Sequence, residues 1–368
     1  MRTALLVLGM HRSGTSALTG VLGLCGATLP RHLGVASHES NPLGHWEPQK
    51  IVDIHDRFLK SAGTGWDSIL SYPDAIFRSK SAIDCRHNLL KVARAEYGNS
   101  SLFVLKDPRT SRLMRLWRPV LSEMGVGPRV VIIVRNPLEI ADSLSRRDAW
   151  SEYRSLLVWV RYLLSAERET RDMPRCFVNY DQLINDWRSV VKILSSGLDI
   201  ELPVRSPATD SDVDRFLRKD LRHHRRDPQE FLGRNDIADC LKRAYRCFSA
   251  AANTGRIDCA ALDNVAQELD EAEATFKHIS RSADAAVLHT ISPEQAFTSK
   301  QDALLAIVLA DFGRANDTAE HSKRKLDEIM RSRSWRFTRA FRVFGRTTAD
   351  IFRRVQCLLG VGKTLPSR

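Results

Sequence analysis

The chain lacks any C-x-x-C pair, and its seven cysteines (25, 85, 176, 240, 247, 259 and 357) are scattered and odd in number. A zinc ribbon is excluded and an extracellular disulfide frame is disfavoured, so a reducing compartment fits best. Long apolar runs are also missing. The longest beyond the N-terminal stretch is "ALLAIVLA" from Ala303, far short of the roughly 20 residues that a membrane-spanning helix needs. The stretch at residues 4–10 is too short for a secretory segment and meets His11-Arg12 without a small-residue cleavage site, so it reads as a buried strand. Acid is scarce at the far end, where eight arginines between Arg331 and Arg354 face the single acid Asp350. The net charge of +12 is therefore a basic tail on a milder body, suited to an anionic partner.

What is present is an alternation of short apolar runs with longer helical patterns. "TALLVL" precedes a helix from Thr15, "LFVL" at 102–105 a helix from Pro108, "RVVIIV" at 129–134 a helix from Pro137, and "CFVNY" at 176–180 a further helix. This order predicts an α/β fold, a parallel sheet covered by helices on both faces, with a C-terminal helical extension. The expected division is 1–235 for the α/β domain, 236–285 for a helical extension, 286–300 for a linker and 301–368 for C-terminal helices. In the extension, Leu262, Val265, Leu269, Ala272, Phe276 and Ile279 alternate three and four apart, the seam of a helical hairpin or coiled coil that leaves homodimerisation open. The tail sets Trp335, Phe337, Phe341 and Phe344 among Arg336, Arg339, Arg342 and Arg346, a basic amphipathic helix suited to an anionic bilayer or to packing on protein.

The first strand breaks into "GMHRSGTSAL". Gly9 and Gly14 keep the spacing of a nucleotide P-loop, G-x-x-x-x-G-K-[ST], but Thr15 stands where the lysine should be. Backbone amides and a helix start still make an anion site, though not necessarily one for a γ-phosphate. Two further strand ends carry cations: Lys106-Asp107-Pro108-Arg109 and Arg135-Asn136-Pro137. Asp107 and Asn136 read as N-caps ahead of a proline at the first helical position, with Glu139 completing a partial capping box. In a parallel sheet these ends share one rim, where Arg12, Lys106 and Arg135 converge. Ser143, two turns after Asn136, falls on the cap's face, so Arg135 and Ser143 form a candidate second phosphate site. The alternative pairs Arg135 with Glu139 or Asp142 and leaves Ser143 to packing.

Together these motifs resemble sulfotransferases that use 3′-phosphoadenosine 5′-phosphosulfate (PAPS), over about residues 3–225. "GMHRSGTSAL" looks like the 5′-phosphosulfate loop, "VRNPLEIADSL" like the 3′-phosphate motif and "VLKDPR" like the K-D-P segment of protein-tyrosine and related sulfotransferases. The resemblance implies a P-loop-like three-layer fold, with Arg12, Ser13, Gly14, Thr15 and Ser16 cradling the phosphosulfate and Arg135 and Ser143 holding the 3′-phosphate. It implies Lys106 beside the transferred sulfonate, Glu47 as the base with His45 as its competitor, and no metal. It also implies a late loop over the nucleotide, for which Arg218, Lys219, Arg222 and His223 are weak candidates because the family's R-K-G-x-x-G is missing; a solvated basic face is the plainer reading.

The expected activity is sulfonate transfer to a hydroxyl of a glycan, glycolipid or other cell-surface acceptor, in the cytoplasm or peripherally at the inner membrane face, with no nucleic-acid partner. Two rivals are a small-molecule P-loop kinase, which Thr15 disfavours, and a non-catalytic membrane- or polyanion-binding protein.

Overall fold

A computed structural model describes residues 2–33, 46–204, 206–217 and 225–283. The chain divides into two compact units, Met1–Leu269 and Asp270–Arg368, and the sheet lies in the first. Among the described residues no helix is long and apolar enough to cross a membrane.

The first unit opens with β1 (Arg2–Leu8) and α1 (Thr15–Leu24), followed by α2 (Gln49–Ser61), α3 (Asp74–Phe77) and α4 (Lys80–Tyr97). Then come β2 (Leu102–Leu105), α5 (Thr110–Glu123), β3 (Val126–Val134), α6 (Pro137–Asp148) and α7 (Glu152–Arg168). β4 (Arg175–Asn179) leads into α8 (Tyr180–Asn185), α9 (Trp187–Leu198), α10 (Pro207–Phe216), α11 (Pro228–Gly233), α12 (Asp239–Thr254) and α13 (Cys259–Ala283).

The four strands form one parallel sheet, as the alternation of runs predicts, in the order β2-β1-β3-β4. Every residue of β1 from Ala4 and of β3 from Val130 is buried, the pattern of strands covered on both faces. One face presents Leu5, Val7, Val131, Ile133 and Val178 to Leu18, Val21 and Leu22 of α1 and to Val190, Val191 and Leu194 of α9. The alternate residues meet α5, α7 and α12 on the opposite face, where the Phe177 ring of β4 lies 6.3 Å from that of Phe248. Burial of large aliphatic side chains at about 1.5–3 kcal/mol each supplies the main stabilising term.

The segment from residue 236 is helical, and α12 packs on β4 with Cys240, Leu241, Ala244 and Phe248 buried. Leu262, Val265 and Leu269 of α13, the first part of the expected seam, are buried in the first unit. The tail and the expected linker lie outside the described residues.

One helix start and one capping box differ from expectation. Three successive i→i+3 bonds, from the amides of Thr110, Ser111 and Arg112, make the chain after β2 a tight turn, so α5 begins at Thr110 and not at Pro108. Asn136 does cap α6, accepting from the Leu138 amide at 3.0 Å with Pro137 at the first position. Glu139 forms no capping box, because its two carboxylate oxygens take Arg135 Nε at 2.9 Å and the Arg226 amide at 3.0 Å.

Candidate active site

The strand order reverses between β1 and β3, which flank each other although β2 comes between them in sequence. Open parallel sheets bind ligands at the carboxyl ends of their strands beside such a switch point. There the chain leaves β1 and turns through Arg12 (φ +68°) and Gly14 (φ +97°) into α1. A left-handed arginine is uncommon and persists only where its surroundings hold it. Arg135 supplies one restraint, donating from Nη1 to the Arg12 carbonyl at 2.8 Å, and Ser143 the other, accepting from Arg12 Nε at 2.7 Å.

Gly14 cannot be replaced without displacing something. A Cβ there would run into the Tyr180 ring, which follows β4 and also carries the Arg135 guanidinium stacked 4.3 Å from its centroid. At the other end of the loop, Gly9 donates to Ser111 Oγ at 2.9 Å and Ser13 Oγ donates back to the Met10 carbonyl at 2.6 Å. The Ser13 hydroxyl thus braces the turn it sits in.

α1 starts with no side-chain cap and no acid in its first turn, and among the described residues the amides of Gly14 and Thr15 make no hydrogen bond. Orphan amides at the positive end of a helix favour an anion. Burial, then the charges of Arg147 and Arg135, push the Arg12 guanidinium down to about 10, so it stays charged at neutral pH while crowded by like charge. An arriving anion would relieve that crowding.

Lys106, at the end of β2, is 1% exposed and donates from Nζ to Ser16 Oγ at 2.9 Å and to Glu47 Oε1 at 2.7 Å. Glu47 lies just ahead of α2, so a carboxylate, a lysine and the loop's last hydroxyl meet at one point. Arg12, Ser16, Glu47, Lys106, Arg135 and Ser143 therefore gather around one loop, with Thr15 buried beside them. Arg135 is at the same time the partner of fully buried Glu139, the pairing named above as the alternative to phosphate binding. His45, Arg218, Lys219, Arg222 and His223 lie outside the described residues.

Asp107 is not an N-cap. Its Oδ2 meets His55 Nδ1 at 2.7 Å, and its Oδ1 accepts from the Arg109 amide at 3.1 Å and from Arg109 Nη1 at 3.0 Å. Burial by itself would raise this carboxyl, but Arg109 and the His55 hydrogen bond outweigh it and hold the group far below the usual carboxylate range. Arg109 continues to Asp56 at 2.6 Å and 3.1 Å. Indole N–H only donates, so the 2.9 Å bond from Trp117 Nε1 makes His55 Nε2 an acceptor and places the ring proton on Nδ1, toward Asp107.

His55, Asp56, Arg109 and Tyr180 are not among the residues that sequence reading picks out for the site. His55 left a signal, because it falls on the apolar stripe of α2 with Ile51, Phe58 and Leu59. His11 is buried against Trp66, ring centroids 4.3 Å apart, and its Nε2 has no hydrogen-bond partner among the described residues. Burial, then Arg109 and Arg147, hold it well below the ordinary histidine value.

No family model and no curated protein matches the chain. Solved structures that are similar to it at low identity include two sulfotransferase domains. The sulfotransferase domain from the curacin biosynthetic pathway is 15% identical, covering 73% of this chain and 98% of that domain with a TM-score of 0.33. The sulfotransferase domain from the Synechococcus PCC 7002 olefin synthase is 17% identical, covering 72% and 94% with a TM-score of 0.33.

Proposed function

We propose that the chain is a sulfotransferase that moves a sulfonate from PAPS to a hydroxyl of a glycan, glycolipid or other cell-surface acceptor. The observation that carries this reading is the buried Lys106 tied both to Glu47 and to Ser16 of the glycine loop. The donor fits the loop in that α1 opens uncapped, with the amides of Gly14 and Thr15 unbonded among the described residues. Arg12, Ser16 and the amides of Gly14 and Thr15 would hold its phosphosulfate, with Arg135 and Ser143 at the 3′-phosphate.

Bound PAPS supplies an activated sulfonate with a nucleotide phosphate as leaving group. The new S–O bond to the acceptor forms as the S–O bond to that phosphate breaks, through a loose in-line transition state akin to phosphoryl transfer. Arg12 and Lys106 place positive charge where the leaving oxygen gains negative charge. Glu47 receives the hydroxyl proton, a role worth about 10²- to 10⁴-fold in rate. The arginines and aromatic residues of the tail support work at an anionic membrane face.

The test is transfer from sulfur-labelled PAPS into extracts fractionated into polysaccharide, lipid and protein, beside calorimetric titration with 3′-phosphoadenosine 5′-phosphate (PAP) and with ATP–Mg²⁺. Label in the polysaccharide or lipid fraction and tight PAP binding are expected. Binding of ATP–Mg²⁺ with none of PAP would overturn the reading.

A further inference from the structure

Three polar pairs join α2 and the residues just ahead of it to the turn after β2, in matching order along both segments. Glu47 meets Lys106, His55 meets Asp107 and Asp56 meets Arg109. Each outer pair has one member that reaches toward solvent, Glu47 and Asp56, but His55 and Asp107 are 0% and 1% exposed, and the Trp117 indole holds the far side of the imidazole. A buried carboxylate whose partners all donate to it has one low-energy arrangement, because rotating any member leaves a charge without a hydrogen bond.

We infer that His55 is a positioning residue for the reacting pair. By clamping α2 onto the Lys106–Arg109 turn, it fixes Glu47 against Lys106. Glu47 precedes α2 by two residues and has no helix of its own, so its place depends on where α2 is anchored. Lys106 is the neighbour of Asp107, so the clamp sets both partners from one bond. The consequence for chemistry rests on the sulfotransferase reading, in which misplacement by about 1 Å costs on the order of 10²-fold in rate.

The experiment compares His55→Leu, which removes both imidazole hydrogen bonds, with His55→Asn, whose amide can still donate to Asp107. Amine-reactive labelling of Lys106, read by mass spectrometry with exposed Lys60 of α2 as reference, reports the pair's geometry whether or not sulfonate is transferred. Labelling of Lys106 relative to Lys60 is expected to rise about tenfold or more in His55→Leu and to stay near wild type in His55→Asn. For the reaction, kcat is expected to fall about 10²-fold in His55→Leu with PAP affinity within about twofold, and to recover in His55→Asn.

If His55→Leu does not fold, Asp56→Ala opens the adjacent pair from a side chain 45% exposed, and the same two readouts are expected to move in the same directions. Unchanged Lys106 labelling in a folded variant overturns the proposal, as does loss of PAP affinity in parallel with kcat, which would mean general loosening. A wild-type protein that transfers no sulfonate overturns the sulfotransferase reading alone, and Lys106 reactivity still decides the clamp.

Discussion

Arg12 and Glu47 act on opposite ends of the proposed reaction, and their variants should separate accordingly. Arg12→Ala removes a cation from the anion site and the bond to Ser143, so PAP affinity and kcat/KM should both fall, the latter about 10²- to 10³-fold. Glu47→Gln keeps a hydrogen-bonding partner for Lys106 but cannot take a proton, so kcat should fall about 10²- to 10⁴-fold with PAP affinity kept. Equal turnover in both variants and wild type would remove these residues from the chemistry. His11 makes a different prediction. Its folded-state pKa is depressed below 6.5, so the unfolded chain takes up a proton that the folded chain refuses as pH falls below that value. The associated stability is present above about pH 6.5 and is lost below it, at up to about 1.4 kcal/mol per pH unit. Denaturant midpoints at pH 7.5 and 5.5 should differ more for wild type than for His11→Phe, and an identical difference would contradict a buried neutral ring.

At the level of elements, the loop between β1 and α1 is shaped by pieces that arrive from all four strand ends. Tyr180 after β4 fills the space beside Gly14, so Gly14→Ala meets both a left-handed φ and a ring. The backbone strain is about 1–2 kcal/mol, and the clash adds to it. In a Tyr180→Ala background the same substitution should cost less, a coupling that a double-mutant cycle of thermal midpoints would measure; strict additivity would show that the ring is not the obstacle. Strands, their parallel orientation and the rim cations were legible in the sequence because each depends on local composition and on a general rule for strand ends. The buried partners were not. Asp107 before a proline looks like a cap in one dimension, and its Oδ1 does take the Arg109 amide two residues on, but only packing of α2 brings His55 to its other oxygen. Glu139 likewise sits at capping-box spacing; its pairing with Arg135 was open to sequence as the alternative, but the Arg226 amide reaches it from 87 residues away. Spacing reports which neighbours a helix offers, and it is silent on competitors brought from 50 or more residues away.

For the whole molecule, a ligand gripped by β1, β2, β3 and the helices after them should stabilise the first unit as a body. PAP at a hundredfold excess over its Kd should add about 2.7 kcal/mol and raise Tm by several degrees, and ATP–Mg²⁺ at equal concentration should not. A shift with both would point to a general polyanion site. The sheet's order has one more outcome, in time. β1 occupies an inner position, yet its partners are Leu102–Leu105 and Val126–Val134, so Thr3 pairs with Leu102 and Leu6 with Val130. Nothing close in sequence can complete the first strand, and distant pairings are slow to form. A chain leaving the ribosome must therefore carry β1 without either partner for nearly a hundred residues of synthesis. Arrested nascent chains of increasing length should stay protease-sensitive at the N-terminus until β3 has emerged. Protection that set in before β2 was out would mean that β1 finds an earlier shelter, and the glycine loop could then be made before its cations.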